Sequence, residues 1–151
     1  MYAAFEGDLV RPLGFVTLYS AYAEGELDDL IGSLPAVEAY DDNKRRWAIG
    51  KKLSYALKLV KKLRSPTLAE LEALLKEAPG LFSRRNELVH GRLFSGGRLV
   101  SNRQSKPEQR ISEAGIVRLA EDIFDWKERL WACRHRQLVP LLDSRKEEND
   151  A

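Results

Sequence analysis

Only one cysteine, Cys133, occurs in 151 residues. That excludes an internal disulfide and any cysteine metal cluster. No apolar run approaches the roughly 20 residues that cross a bilayer, so no membrane partner is expected. The start of the chain, Met1-Tyr2-Ala3-Ala4-Phe5-Glu6, has neither the basic flank nor the apolar core of a signal peptide, and a cytoplasmic protein is expected. Ser95-Gly96-Gly97 lacks the lysine and the spacing of a P-loop, and no G-x-S-x-G, H-E-x-x-H or EF-hand pattern occurs. No metal and no cofactor are expected. Histidine is scarce too, with two in the chain, His90 and His135.

Acid is missing from one long stretch. Between Lys44 and Arg64 there are nine basic residues and no Asp or Glu, whereas the whole chain carries +2, which leaves −7 for the rest. A basic element on an acidic body suggests an anionic partner. With 44% hydrophobic and 32% charged residues, the composition is that of a folded domain. The expectation is a single domain over residues 1–142 and a charged, disordered tail over 143–151.

The apolar spacing is helical almost throughout and predicts an all-α fold. A first helix is expected from Leu9 to Leu34, with a core stripe of Leu13, Val16, Ala23, Leu27, Leu30, Ile31 and Leu34 and a second, aromatic stripe of Phe15, Tyr19 and Tyr22. Asp41-Asp42-Asn43 offers N-caps for a second helix reaching Leu63. Ile49, Leu53, Ala56, Leu57, Val60 and Leu63 would share one face of it, and Lys44, Lys51, Lys58, Lys61 and Lys62 the opposite one. Trp47 lies among those lysines, where an indole can stack on a base, cap a subunit contact or pack locally.

Thr67 is a plausible cap for a third helix over Leu68–Ala78, with Pro79-Gly80 as a break before a short helix from Leu81 to about Phe94. Gly91 is expected to stop that helix or make it irregular, which would leave His90 at a helix end. A short hairpin strand over Arg98–Arg103 and a last helix from Ser112 to about Leu138 complete the prediction. That last helix would bury Ile116, Ala120, Ile123, Phe124, Leu130 and Trp131 and end near Pro140.

The chemistry concentrates in Arg85-Asn86-Glu87-Leu88-Val89-His90. Asn86 and His90 are four apart and share a helix face, so the amide can orient the imidazole. Arg85 and His90 lie about 140° apart on an ideal helix. Together the three groups can bind a phosphate, stabilise charge on it and move a proton near neutral pH. Cleavage of RNA by its own 2′-hydroxyl needs these functions, with both a base and an acid. One chain supplies one well-placed histidine, so a two-fold homodimer that joins two motifs would complete the set. Cys133 and His135, two apart, do not share a helix face and make a poor metal pair.

Arg85 to His90 fits the R-x4–6-H motif of HEPN domains, and the order of helices around it resembles that family from Leu9 to about Leu142. The resemblance implies a four- to five-helix up-and-down bundle. It also implies a metal-independent endoribonuclease that acts as a dimer, often as a toxin or a phage-defence effector, with Arg85 and His90 catalytic and Asn86 assisting. A toxin subgroup of the family carries a tyrosine two places after the histidine that its antitoxin modifies. Arg92 stands there in this chain, which speaks against that mode of silencing, while an antitoxin or regulatory protein that acts in another way stays open as a partner.

RNA is the expected partner. Lys44, Trp47, Lys51, Lys58 and Lys62 of the basic helix, with Arg84, Arg92, Arg98 and Arg103 around the motif, are the candidate nucleic-acid contacts. Two alternatives remain open at this stage. One is a non-catalytic module that binds RNA or a nucleotide. The other is a structural helical dimer that docks an acidic partner.

Overall fold

The computed structural model of the protein describes residues 8–94, 98–100 and 109–151. The fold is all-α, as the apolar spacing predicts. Its helices are α1 (Val10–Ser33), α2 (Asp42–Arg45), α3 (Ile49–Lys62), α4 (Ala69–His90), α5 (Glu113–Cys133) and α6 (Val139–Asp150), with three short strands between α4 and α5. These are β1 (Arg92–Phe94), β2 (Arg98–Val100) and β3 (Gln109–Arg110), antiparallel in the order β1-β2-β3. Among the described residues no helix is long and apolar enough to cross a membrane.

Helix ends follow local chemistry. The Asp8 carboxylate accepts from the Val10 and Arg11 amides at the start of α1. Asp41 caps α2 through the Lys44 amide at 2.9 Å, and Ser112 caps α5 through the Gly115 amide at 3.0 Å. Each supplies an acceptor to an amide that has no partner within its own helix.

Four elements differ from the expectation, one of them Arg92–Phe94, which pairs as β1 where the motif helix was expected to continue to about Phe94. The second helix is two, because Arg46-Trp47-Ala48 interrupts the chain between α2 and α3. Pro79 and Gly80 do not break α4, which runs through both. Proline removes one amide donor and crowds the carbonyl four residues back, yet a helix buried on both sides of the lesion tolerates this. Ala78 and Phe82 are both buried. Pro140 likewise ends nothing. The five residues before α6, Arg134–Leu138, widen into a π turn in which the Val139 amide bonds the Arg134 carbonyl, and the chain stays helical to Asp150. Such a bulge accommodates a ring that cannot enter the regular ladder.

The structure divides into two compact units. One comprises residues 1–22 and 80–125, the other 23–79 and 126–151. The first unit holds the strands and the motif. Val16, Phe82, Leu88, Leu99, Ile116, Leu119 and Ile123 are buried in it. Phe15, Tyr19, Tyr22 and Phe124 form a chain of ring contacts, with centroids 5.0–6.5 Å apart, that stays partly exposed.

The second unit buries Leu27, Leu30, Leu53, Val60, Leu71, Leu74 and Trp126, among others. The Trp126 indole donates to the Leu74 carbonyl at 2.9 Å. Trp126 is 1% exposed, whereas Phe124 and Trp131 are 39% and 43% exposed, so the stripe expected on the last helix is displaced. The expected core face of the basic helix is also shifted: Leu59 and Lys52 are buried, and Leu57 and Leu63 are only half-buried.

Candidate active site

His90 is the last residue of α4 and is exposed, as is Asn86. At about 100° per residue the two lie some 40° apart on the surface of the helix. Arg85 leaves α4 elsewhere, between the buried Phe82 and Leu88, each about 60° to one side of it. Its guanidinium carbon lies 5.6 Å from the centre of the Phe82 ring, and the residue is half-buried. The motif thus splits into an exposed amide–imidazole couple and an arginine set into the flank of the helix.

Gly91 fixes where His90 stands. Its amide closes the last turn of α4 on the Glu87 carbonyl at 2.9 Å. A Cβ at this position would run into that same carbonyl oxygen, and would lie 2.9 Å from Leu99 Cδ1 and 3.0 Å from the Val100 carbonyl oxygen. β2 therefore packs against a position that only glycine can fill, directly after His90 in the chain.

Basic side chains surround this end of the unit. Arg98 and Arg110 are exposed and directly opposite each other across β2 and β3. Arg92 opens β1 in register with Val100. Arg84 reaches Asp122 of α5 at 3.1 Å with both side chains about half exposed. It is therefore shared with a carboxylate. Arg103 lies outside the described residues.

An open cleft of about 200 Å³ lies on the flank of α4, and its lining residue Glu87 stands three residues before His90. Leu88, Leu99, Leu119 and Ile111 form its floor, and Ser83, Arg84, Glu87 and Gln109 are on its rim. The cleft was not foreseen from sequence. Its walls come from α4, the paired residues Leu99 and Gln109, and the start of α5, and nothing local predicts their meeting.

The other basic residues belong to the second unit. Lys51, Lys58 and Lys62 are exposed on α3 and in no ion pair among the described residues. Lys44 sits on α2 and is largely covered, its ammonium 3.4 Å from Glu38 and 3.0 Å from the Ala39 carbonyl. Trp47 is half-buried, with the Lys51 ammonium 4.3 Å above its ring and the edge of Tyr55 against it at 5.4 Å. One basic residue of α3 is buried. Lys52 is 1% exposed and pairs with Asp28 at 2.9 Å and Glu24 at 3.1 Å, and the Tyr40 hydroxyl donates to Asp28. Burial, together with that donation to Asp28, raises the Tyr40 phenol above its usual range.

His135 stacks on Trp131 with ring centres 4.3 Å apart. Cys133 is buried, and burial, with the neighbouring Glu70 carboxylate, pushes its thiol up to about 11. Among the described residues no group of three or more His, Cys, Asp or Glu side chains is placed to hold a metal ion. Comparison with known proteins finds no match among family models, curated proteins or solved structures.

Proposed function

We propose that the protein is a metal-independent endoribonuclease of the HEPN type, working as a homodimer in which two copies of the motif face one cleft. The observation that carries the reading is that Asn86 and His90 are both exposed on the last turn of α4, which Gly91 closes against β2. His90 moves the proton of the attacking 2′-hydroxyl or of the departing 5′-oxygen, a role worth about 10²- to 10⁴-fold in rate. Asn86 orients the ring. Arg85 stabilises the charge that grows on phosphorus, a contribution of roughly 2.7–4 kcal/mol in comparable sites. The Arg98–Arg110 pair and the exposed lysines of α3 attract the RNA backbone. A toxin or defence effector in the cytoplasm fits this activity.

The half-buried setting of Arg85 beside Phe82 favours a second reading, an RNA-binding module without turnover. One experiment separates the two. Labelled single-stranded RNA is incubated in EDTA with wild type, Arg85→Ala and His90→Ala. Cleavage by wild type alone supports the nuclease. Salt-sensitive binding without cleavage by any of the three favours the binding module. Equal cleavage by all three removes the motif from the chemistry.

A further inference from the structure

The cleft beside His90 has a shape and a set of rim groups that the reaction itself does not use. We propose that it reads a guanine base adjacent to the phosphate that His90 serves. The assignment rests on the RNA reading above for its link to cleavage, but the cleft's ligand chemistry stands on its own observations.

Position comes first. Glu87 lies three residues before His90, and such residues are neighbours on a helix surface, with Cβ atoms about 5–6 Å apart. One lining residue of the cleft therefore stands within one helical turn of His90, a span that a single nucleotide can bridge.

Size and surface come next. About 200 Å³ accommodates one base and leaves the ribose and phosphate outside. The buried Leu88, Leu99 and Leu119 give the flat face of a base an apolar floor. Phosphate is a poor occupant: Asp122 already shares Arg84, and Glu87 adds a further negative charge.

The rim selects among bases. An ionised carboxylate only accepts, and its two oxygens offer about four acceptor sites, so Glu87 can take new donors alongside any it already holds. The pairing edge of guanine carries two adjacent N–H donors, with a carbonyl acceptor beside them. Those donors match the two carboxylate oxygens of Glu87, and the Gln109 amide can donate to the carbonyl. Adenine and cytosine place a ring-nitrogen lone pair beside their single amino group, and uracil flanks its one N–H with two carbonyls. Each of these would turn a lone pair toward the carboxylate.

The test uses the full-length protein, isotope-labelled for NMR and titrated separately with the 3′-monophosphates of guanosine, adenosine, cytidine and uridine. The expected result is shifts at Glu87, Leu99, Gly115 and the Gln109 side-chain amide. The guanosine nucleotide should bind roughly tenfold tighter than the others. Glu87→Gln should erase that preference, and Gln109→Ala should weaken it, with the spectra of both variants confirming the fold. Equal affinity for all four nucleotides, or shifts confined to the lysines of α3, would overturn the assignment. Guanosine selectivity in a protein that cleaves no RNA keeps the cleft and removes the nuclease reading. Cleavage that needs His90 but comes without guanosine selectivity keeps the nuclease and removes the cleft.

Discussion

Gly91 and Val100 approach so closely that a single methyl carbon on residue 91 would lie 3.0 Å from the Val100 carbonyl oxygen. This contact joins the end of α4 to β2 and thereby places His90. Gly91→Ala should cost about 1–3 kcal/mol through overpacking, or about 2–4 °C of Tm per kcal/mol in a chain of this size. Gly80→Ala, inside α4 with open space around it, should be neutral or stabilising by up to about 1 kcal/mol. Thermal denaturation of the two variants side by side checks the pair. Equal Tm values would refute the close contact.

Lys52 and the lysines of α3's outer face should respond oppositely to substitution. Removing Lys52 leaves Asp28 and Glu24 without their counter-ion. Breaking a buried pair in this way costs about 3–5 kcal/mol, and partial exposure of both carboxylates sets the expectation near 3. Lys58→Ala should change stability by less than about 0.5 kcal/mol. Urea denaturation of both variants measures the contrast.

Binding should show the reverse order. Each lysine that neutralises a phosphate of single-stranded RNA adds about 0.7 to the slope of log affinity against log salt. Exchanging Lys51, Lys58 and Lys62 together for Gln should therefore flatten the slope by about 2. An unchanged slope would take α3 out of the RNA interface.

Cys133 supplies a pH dependence. The folded protein holds the thiol up to about 11, against 9.0 for an unperturbed cysteine. Its contribution is fully present below pH 9. As pH rises from 9 to 11 the unfolded chain releases the proton first, so stability falls by about 2–3 kcal/mol. Cys133→Ala should remove this part of the alkaline loss. The buried thiol should also resist alkylation at pH 8 until denaturant is added.

Much of this fold was legible in the residues. The stripe from Leu13 to Leu34 and the Asp41 cap are local signals: α1 is present, and α2 starts just after Asp41, although the single helix expected to reach Leu63 is split into α2 and α3. What escaped depends on packing. Pro79 reads as a stop until the burial of Ala78 and Phe82 on either side of it is known. Nothing local marks Lys52 as buried, because its partners Glu24 and Asp28 come from α1. Phe124 and Trp131 read as core, but the helix turns Trp126 inward instead. At the site, the spacing of Asn86 and His90 foretold their shared face, and Gly91 the helix end. The cleft beside them is made by strand pairing and was not legible.

The most direct test of the central claim is an end-group analysis of the RNA fragments produced in EDTA. Attack by the 2′-hydroxyl predicts 2′,3′-cyclic phosphate ends from wild type and no product from His90→Ala. Fragments with 3′-hydroxyl ends, or undiminished cleavage by His90→Ala, would contradict the account.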